Sequence, residues 1–106
     1  MKEVIIEGTI YRIGQNDKDN TDLIKNSENE WFWFHLEKFP SCHVIICKSD
    51  ISSEEIMYAS QLVKDNSKYK FNNIGINYCK VKNLLHGDKA GSVSFVSNKQ
   101  VKKINL

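Results

Sequence analysis

The apolar and polar positions along the chain mark out a succession of short strands broken by one helix. Residues 4–13, VIIEGTIYRI, are rich in β-branched and aromatic side chains, interrupted only at Gly8. That composition predicts one pleated strand, bulged or closely packed at the glycine. Residues 14–30, GQNDKDNTDLIKNSENE, are dense in Asn, Asp and Ser. They predict a long loop of the functional or mobile kind. The runs WFWFH at 31–35 and HVIIC at 43–47 are almost continuously apolar, as strands covered on both faces are. Pro40 lies between them and is excluded from a central ladder, so it marks their connection.

One segment carries a helical signature. Ser52 followed three residues later by Glu55 fits a capping box. Ile56, Ala59 and Val63 then recur on one helical face beside Ser60, while Glu54, Gln61, Lys64 and Asp65 turn outward. The pattern predicts a helix over about residues 53–66, with Asn66 and Ser67 at its end and small residues that allow close approach to a sheet. NIGINYC, KVKNLL, SVSFV and QVKKINL follow as four more strand candidates, and alternation in the second places Lys80 and Lys82 on one strand face. Strands on both sides of one main helix define an α+β fold with a largely antiparallel sheet. A chain of 106 residues is expected to form a single domain across 1–106.

Composition supports a globular chain, with 41% hydrophobic and 26% charged residues. The longest apolar runs, WFWF and VIIC, are far too short to span a bilayer, so no membrane segment is expected. The start, MKEVIIEGTI, lacks the apolar core of a secretory signal, which predicts a soluble, intracellular, cytoplasmic protein. The formal charge of +2 conceals a division. Residues 1–60 hold 6 Lys+Arg against 11 Asp+Glu, a balance of −5; residues 61–106 hold 9 against 2, a balance of +7. Such asymmetry points to an anionic partner.

Several kinds of site chemistry find little support. Cys42, Cys47 and Cys79 are too few and too irregularly spaced for a disulfide framework or a zinc site, and read as small, mostly buried thiols. Asp17, Asp19, Thr21 and Glu28 match positions of a calcium loop, but Asp22 stands where the sharp turn needs glycine. Cys42 and His43 are neighbours facing opposite ways on a strand, and no carboxylate completes a triad. Dinucleotide, phosphate-cradling and hydrolase motifs are absent, so neither enzyme activity nor a cofactor or metal is expected.

Two constellations carry more. His35 closes one apolar strand and His43 opens the next, so a simple antiparallel hairpin sets the imidazoles opposite each other, about 5 Å apart at Cβ. Beside Trp33 and Ser41 they either line a polar pocket or fasten the connection as structural histidines. The other constellation is the basic half: Lys64, Lys68 and Lys70 near the helix end, Lys80 and Lys82, then Lys89, Lys99, Lys102 and Lys103. Tyr69, Phe71 and Tyr78 interleave with these lysines. Lysines neutralise phosphates and rings stack unpaired bases, a combination suited to single-stranded or irregular RNA.

These segments resemble the NFACT-R domain, the RNA-binding module of NFACT proteins. The residues that carry the resemblance are Asp22–Leu23–Ile24–Lys25, Trp33–Phe34–His35, Ser41–Cys42–His43–Val44, Ala59, Asn66–Ser67, Tyr78 with Val81, and Gly91. They keep order and spacing across about residues 8–104, and the LVKDNS and FNNIGINY segments are most similar to stand-alone members. Where many members have Asp–Ile before Trp-Phe-His, this chain has Trp31–Phe32, with Glu30 the nearest acid. The resemblance implies a non-catalytic module for RNA, whether tRNA, rRNA or ribosome-associated RNA, and a link to ribosome quality control. It implies partners on the large ribosomal subunit or among quality-control proteins, with docking on such a protein as the alternative to RNA binding. Tailing of stalled nascent chains is not expected, because the companion domains of the larger members lie outside these 106 residues. The expected nucleic-acid-binding residues are Lys25, Trp33, His35, His43, Lys64, Lys68, Lys80 and Lys82.

Overall fold

The computed structural model describes residues 1–87 and 92–106; Lys89 and Gly91, singled out above, lie outside the described residues. The chain opens with a hairpin. β1 (Lys2–Ile6) pairs antiparallel with β2 (Thr9–Ile13), with Ile6 opposite Thr9. The single strand expected over 4–13 is therefore two, folded at Glu7–Gly8. Both turn residues have positive φ, 49° and 81°, the geometry of the tight turn whose twist matches its flanking strands.

The predicted loop also proves structured. Asn16 caps α1 (Asp17–Lys25), its side chain accepting from the Asp19 N–H, with Asp17 and Asp19 in the first turn and Lys25 in the last. Acidic starts and basic ends suit the helix dipole. β3 (Phe32–Leu36) and β4 (Val44–Ile46) pair antiparallel, with Phe34 opposite Val44. α2 (Ser53–Asp65) is the expected main helix, and its capping box between Ser52 and Glu55 is complete.

β5 (Gly75–Lys80) follows, then a short 3₁₀ turn over Val81–Asn83 in place of the strand expected there. Asn83 anchors that turn, because its side chain donates to the Ser97 carbonyl and accepts from the Ser97 N–H. β6 (Leu84–His86) and β7 (Val93–Phe95) form a small separate hairpin, and β8 (Lys102–Asn105) closes the chain. The main sheet runs β1-β2-β4-β3-β5-β8, antiparallel throughout. The fold is α+β with a largely antiparallel sheet and one main helix, as the sequence predicts, plus the short α1.

Alternation along β3 builds two apolar layers. Phe34 and Leu36 face α2, where Ala59 and Val63 pack with Tyr11, Val44, Ile46 and Ile76. Ala59 and Ser60 are fully buried, and the Ser60 hydroxyl has no hydrogen-bond partner among the described residues, so packing uses its small size. Trp33 faces the other way, into a cluster with Ile45, Cys79, Val81 and the α1 residues Leu23 and Ile24, flanked by Val93 and Phe95 of the small hairpin. No helix among the described residues is long and apolar enough to cross a membrane.

Candidate nucleic-acid interface

The β3–β4 register places His35 opposite His43, as the hairpin argument requires. Their rings meet edge to face with centroids 4.9 Å apart, and Trp33 stacks on His35 at 5.6 Å. Trp33 Nε1 donates to His43 Nδ1 at 3.1 Å. An accepting Nδ1 leaves the His43 proton on Nε2. His43 also ties three elements together, since its backbone N–H donates to Asn20 Oδ1 and its carbonyl accepts from the Gly14 N–H. His35 Nδ1 lies 2.6 Å from the Leu36 carbonyl, which can only accept, so this nitrogen carries the His35 proton. Burial pushes the His35 pKa below its ordinary value, partly countered by that carbonyl.

Above this trio lies a cleft of about 510 Å³. Trp33 and His43 are each only 1% exposed and form its floor, while half-buried His35 reaches higher. Ser41, Asn77, Asp17 and Glu37 stand around the rim, and none of the lysines predicted for the interface lines it. Burial raises the Cys42 thiol to about 11, which keeps it protonated at neutral pH and opposes a nucleophilic role. No group of three or more His, Cys, Asp or Glu side chains among the described residues is arranged to hold a metal ion.

The lysines gather elsewhere. Lys80 and Lys82 do not share a strand face: Lys80 ends β5 and Lys82 sits in the 3₁₀ turn, where Val81 N–H and Lys82 N–H are taken by the Trp31 and Asn29 carbonyls. They converge all the same. With Lys102 they line a groove of about 430 Å³ whose apolar wall includes Phe32 and Tyr78. Cross-strand pairing explains the arrangement, since Phe32 is opposite Lys80 and Tyr78 is opposite Lys102. The Lys80 ammonium lies 5.6 Å from the Phe32 ring centroid. Glu30 bridges the lysines, one carboxylate oxygen 2.6 Å from Lys80 Nζ and the other 2.9 Å from Lys82 Nζ. Hydrogen bonds from these two ammonium groups hold its carboxyl down at about 2.

The remaining predicted residues are dispersed. Lys25 is exposed at the end of α1. Exposed Lys68 lines a second cleft that shares Asn20, Pro40 and Ser41 with the histidine cleft. Lys64 donates to the Leu106 carbonyl at 3.1 Å and fastens the last strand to α2. The expected binding residues omit Phe32, Tyr78, Lys102 and Glu30, although Tyr78 and Lys102 belong to the basic, aromatic constellation of the sequence. Glu30 and Lys80 are 50 positions apart, and no local pattern signals their contact.

Comparison with known proteins places this geometry. The model of the NFACT protein RNA binding domain matches residues 4–103. The chain belongs to this family. NFACT-R relatives include coiled-coil domain-containing protein 25 of Danio rerio, 38% identical over 104 residues that cover 89% of this chain and 50% of that protein. The Bos taurus protein of the same name is 34% identical, covering 92% of this chain and 51% of its own. The chain thus spans about half the length of the curated relatives it matches. Among solved structures, the C-terminal part of the fibronectin/fibrinogen-binding protein from Streptococcus suis superposes with a TM-score of 0.87 at 25% identity, over 98% of this chain and 44% of that one. Membership of an RNA-binding domain family gives RNA as the family's ligand class.

Proposed function

We propose that this NFACT-R domain, a single unit over residues 1–106, binds RNA without chemically altering it, and that tRNA, rRNA or other ribosome-associated RNA is the target. The observation that carries the reading is the groove where Lys80, Lys82 and Lys102 meet Phe32 and Tyr78. Ammonium groups take phosphates and the rings offer faces to unpaired bases, a recognition mode that needs no sequence-specific pattern. Lys25 and Lys68 extend phosphate contact beyond the groove. Lys64 keeps one donor on the C-terminal strand and offers the rest. Trp33 and His43 act as the rigid floor of the separate histidine cleft, and His35 presents its ring to that cleft. The reading extends to a cytoplasmic role within ribosome quality control, which membership of an RNA-binding domain family supports.

Labelled tRNA titrated across a salt series tests the reading. Affinity should fall steeply with salt, and Lys80→Ala with Lys82→Ala should reduce the logarithmic salt slope by about 1.4–1.8. An unchanged slope removes these lysines from the interface. Undetectable binding at low salt, with nuclease-resistant capture of a ribosomal protein, would favour the protein-docking alternative.

A further inference from the structure

Glu30 raises a separate question, because it ties up the two lysines best placed for phosphate. Stability is a poor reason for the bridge. Exposed ion pairs contribute little, and the Glu30 side chain is 48% exposed. The segments are already joined by backbone bonds from Val81 N–H to the Trp31 carbonyl at 2.8 Å and from Lys82 N–H to the Asn29 carbonyl at 3.0 Å. The carboxylate adds a geometric feature instead: two equivalent oxygens, each facing one ammonium group. A phosphodiester also presents two equivalent anionic oxygens. The lysine pair thus already grips one two-oxygen anion, beside the half-buried rings of Phe32 and Tyr78.

We propose that Lys80 and Lys82 form a two-point site for a nucleic-acid phosphate and that Glu30 fills it in the unliganded protein as a competing internal anion. This inference rests on the RNA-binding reading above. Ligand entry requires only that the Glu30 side chain rotate away, since backbone bonds from its neighbours hold the turn in place. With its carboxyl held near 2, Glu30 remains an anion throughout the neutral range, so the competition is constant and not a pH switch. Its effect is to weaken contact with isolated phosphates and favour ligands that fill the neighbouring groove as well.

The experiment compares wild type, Glu30→Gln and Glu30→Ala for binding of a fluorescent single-stranded oligoribonucleotide. Each is measured with the native lysines and with Lys80→Met plus Lys82→Met. Both Glu30 variants should bind about threefold more tightly or better, because the competing ion pairs are gone. That gain should vanish in the lysine-substituted background. Equal or weaker binding by the Glu30 variants, while wild type binds and loses affinity without the lysines, overturns the competition and leaves the RNA reading standing. A gain that persists without the lysines reduces Glu30 to a general charge effect and also overturns the proposal. Absence of binding by every variant at low salt removes the RNA reading itself. Circular dichroism confirms that each variant is folded, and the exposed position of Glu30 makes both substitutions tolerable.

Discussion

Trp33→Phe removes the indole N–H that donates to His43 Nδ1 at 3.1 Å while keeping an aromatic ring in the strand. Both partners are 1% exposed, so this bond lies out of solvent in the wild type. Removing the donor of a buried hydrogen bond costs about 1–3 kcal/mol. The smaller ring also leaves space against His35 and Phe95, whose centroids lie 5.6 Å from that of Trp33. That void adds about 1–2 kcal/mol. Together these predict a loss of about 2–5 kcal/mol, a substantial part of the roughly 5–15 kcal/mol that stabilises a domain. Urea denaturation followed by circular dichroism measures it directly, and a thermal scan should show a fall of about 10 °C or more. A cycle with His43→Leu isolates the polar contact. Once the acceptor is gone, losing the donor matters less, so the double variant should cost at least about 1 kcal/mol less than the two singles summed. A single-variant loss below about 1 kcal/mol, or strict additivity, would refute the claim that the indole–imidazole bond fastens the cleft floor.

Two pH dependences follow from the same structure. Burial holds His35 below its ordinary 6.5, so as pH falls the unfolded chain takes up this proton before the folded one does. The associated stability is intact above about pH 6.5 and declines as pH drops toward the folded value; chemical denaturation from pH 8 to 5 should show the decline, reduced in His35→Gln. Glu55 behaves likewise at lower pH. Hydrogen bonds from the Thr9 hydroxyl, the Ser52 N–H and Lys48 hold it down at about 2 against the usual 4.5. Its contribution is present above 4.5 and lost as pH falls toward 2; Glu55→Gln should flatten thermal stability across that window and cost about 1–2 kcal/mol at neutral pH. A variant that tracks wild type through the window would count against the network.

The sequence was most readable where a local rule sufficed. Ser52 and Glu55 announce the start of α2, and the distance between two apolar strands across Pro40 sets His35 against His43. It was least readable where tertiary contact overrides local preference. α1 has only Leu23 and Ile24 as buried apolar residues, within a run of Asn and Asp that favours turns. What holds it helical is their packing near Trp33 and Cys79, together with the Asn16 cap. The Glu7–Gly8 turn escaped because glutamate seldom adopts positive φ, so the pair lacks the usual turn signature. Lys80 and Lys82 come together by a route other than the predicted shared strand face. A strand period was assumed, whereas a distant carboxylate and a 3₁₀ turn bring them together.

The alternation along β3 has a consequence for how the chain finds its alignment. Phe32, Trp33 and Phe34 are consecutive, so sliding this strand by one residue against its neighbours would still bury a ring on each face of the sheet. Hydrophobic burial alone therefore discriminates weakly between the native pairing and its nearest competitor. The imidazoles supply the missing discrimination. After a one-residue slip, His35 would turn toward the apolar layer under α2, and Trp33 would no longer reach His43. The two histidines thus work as a key for the central strand, admitting one alignment of an otherwise permissive aromatic run.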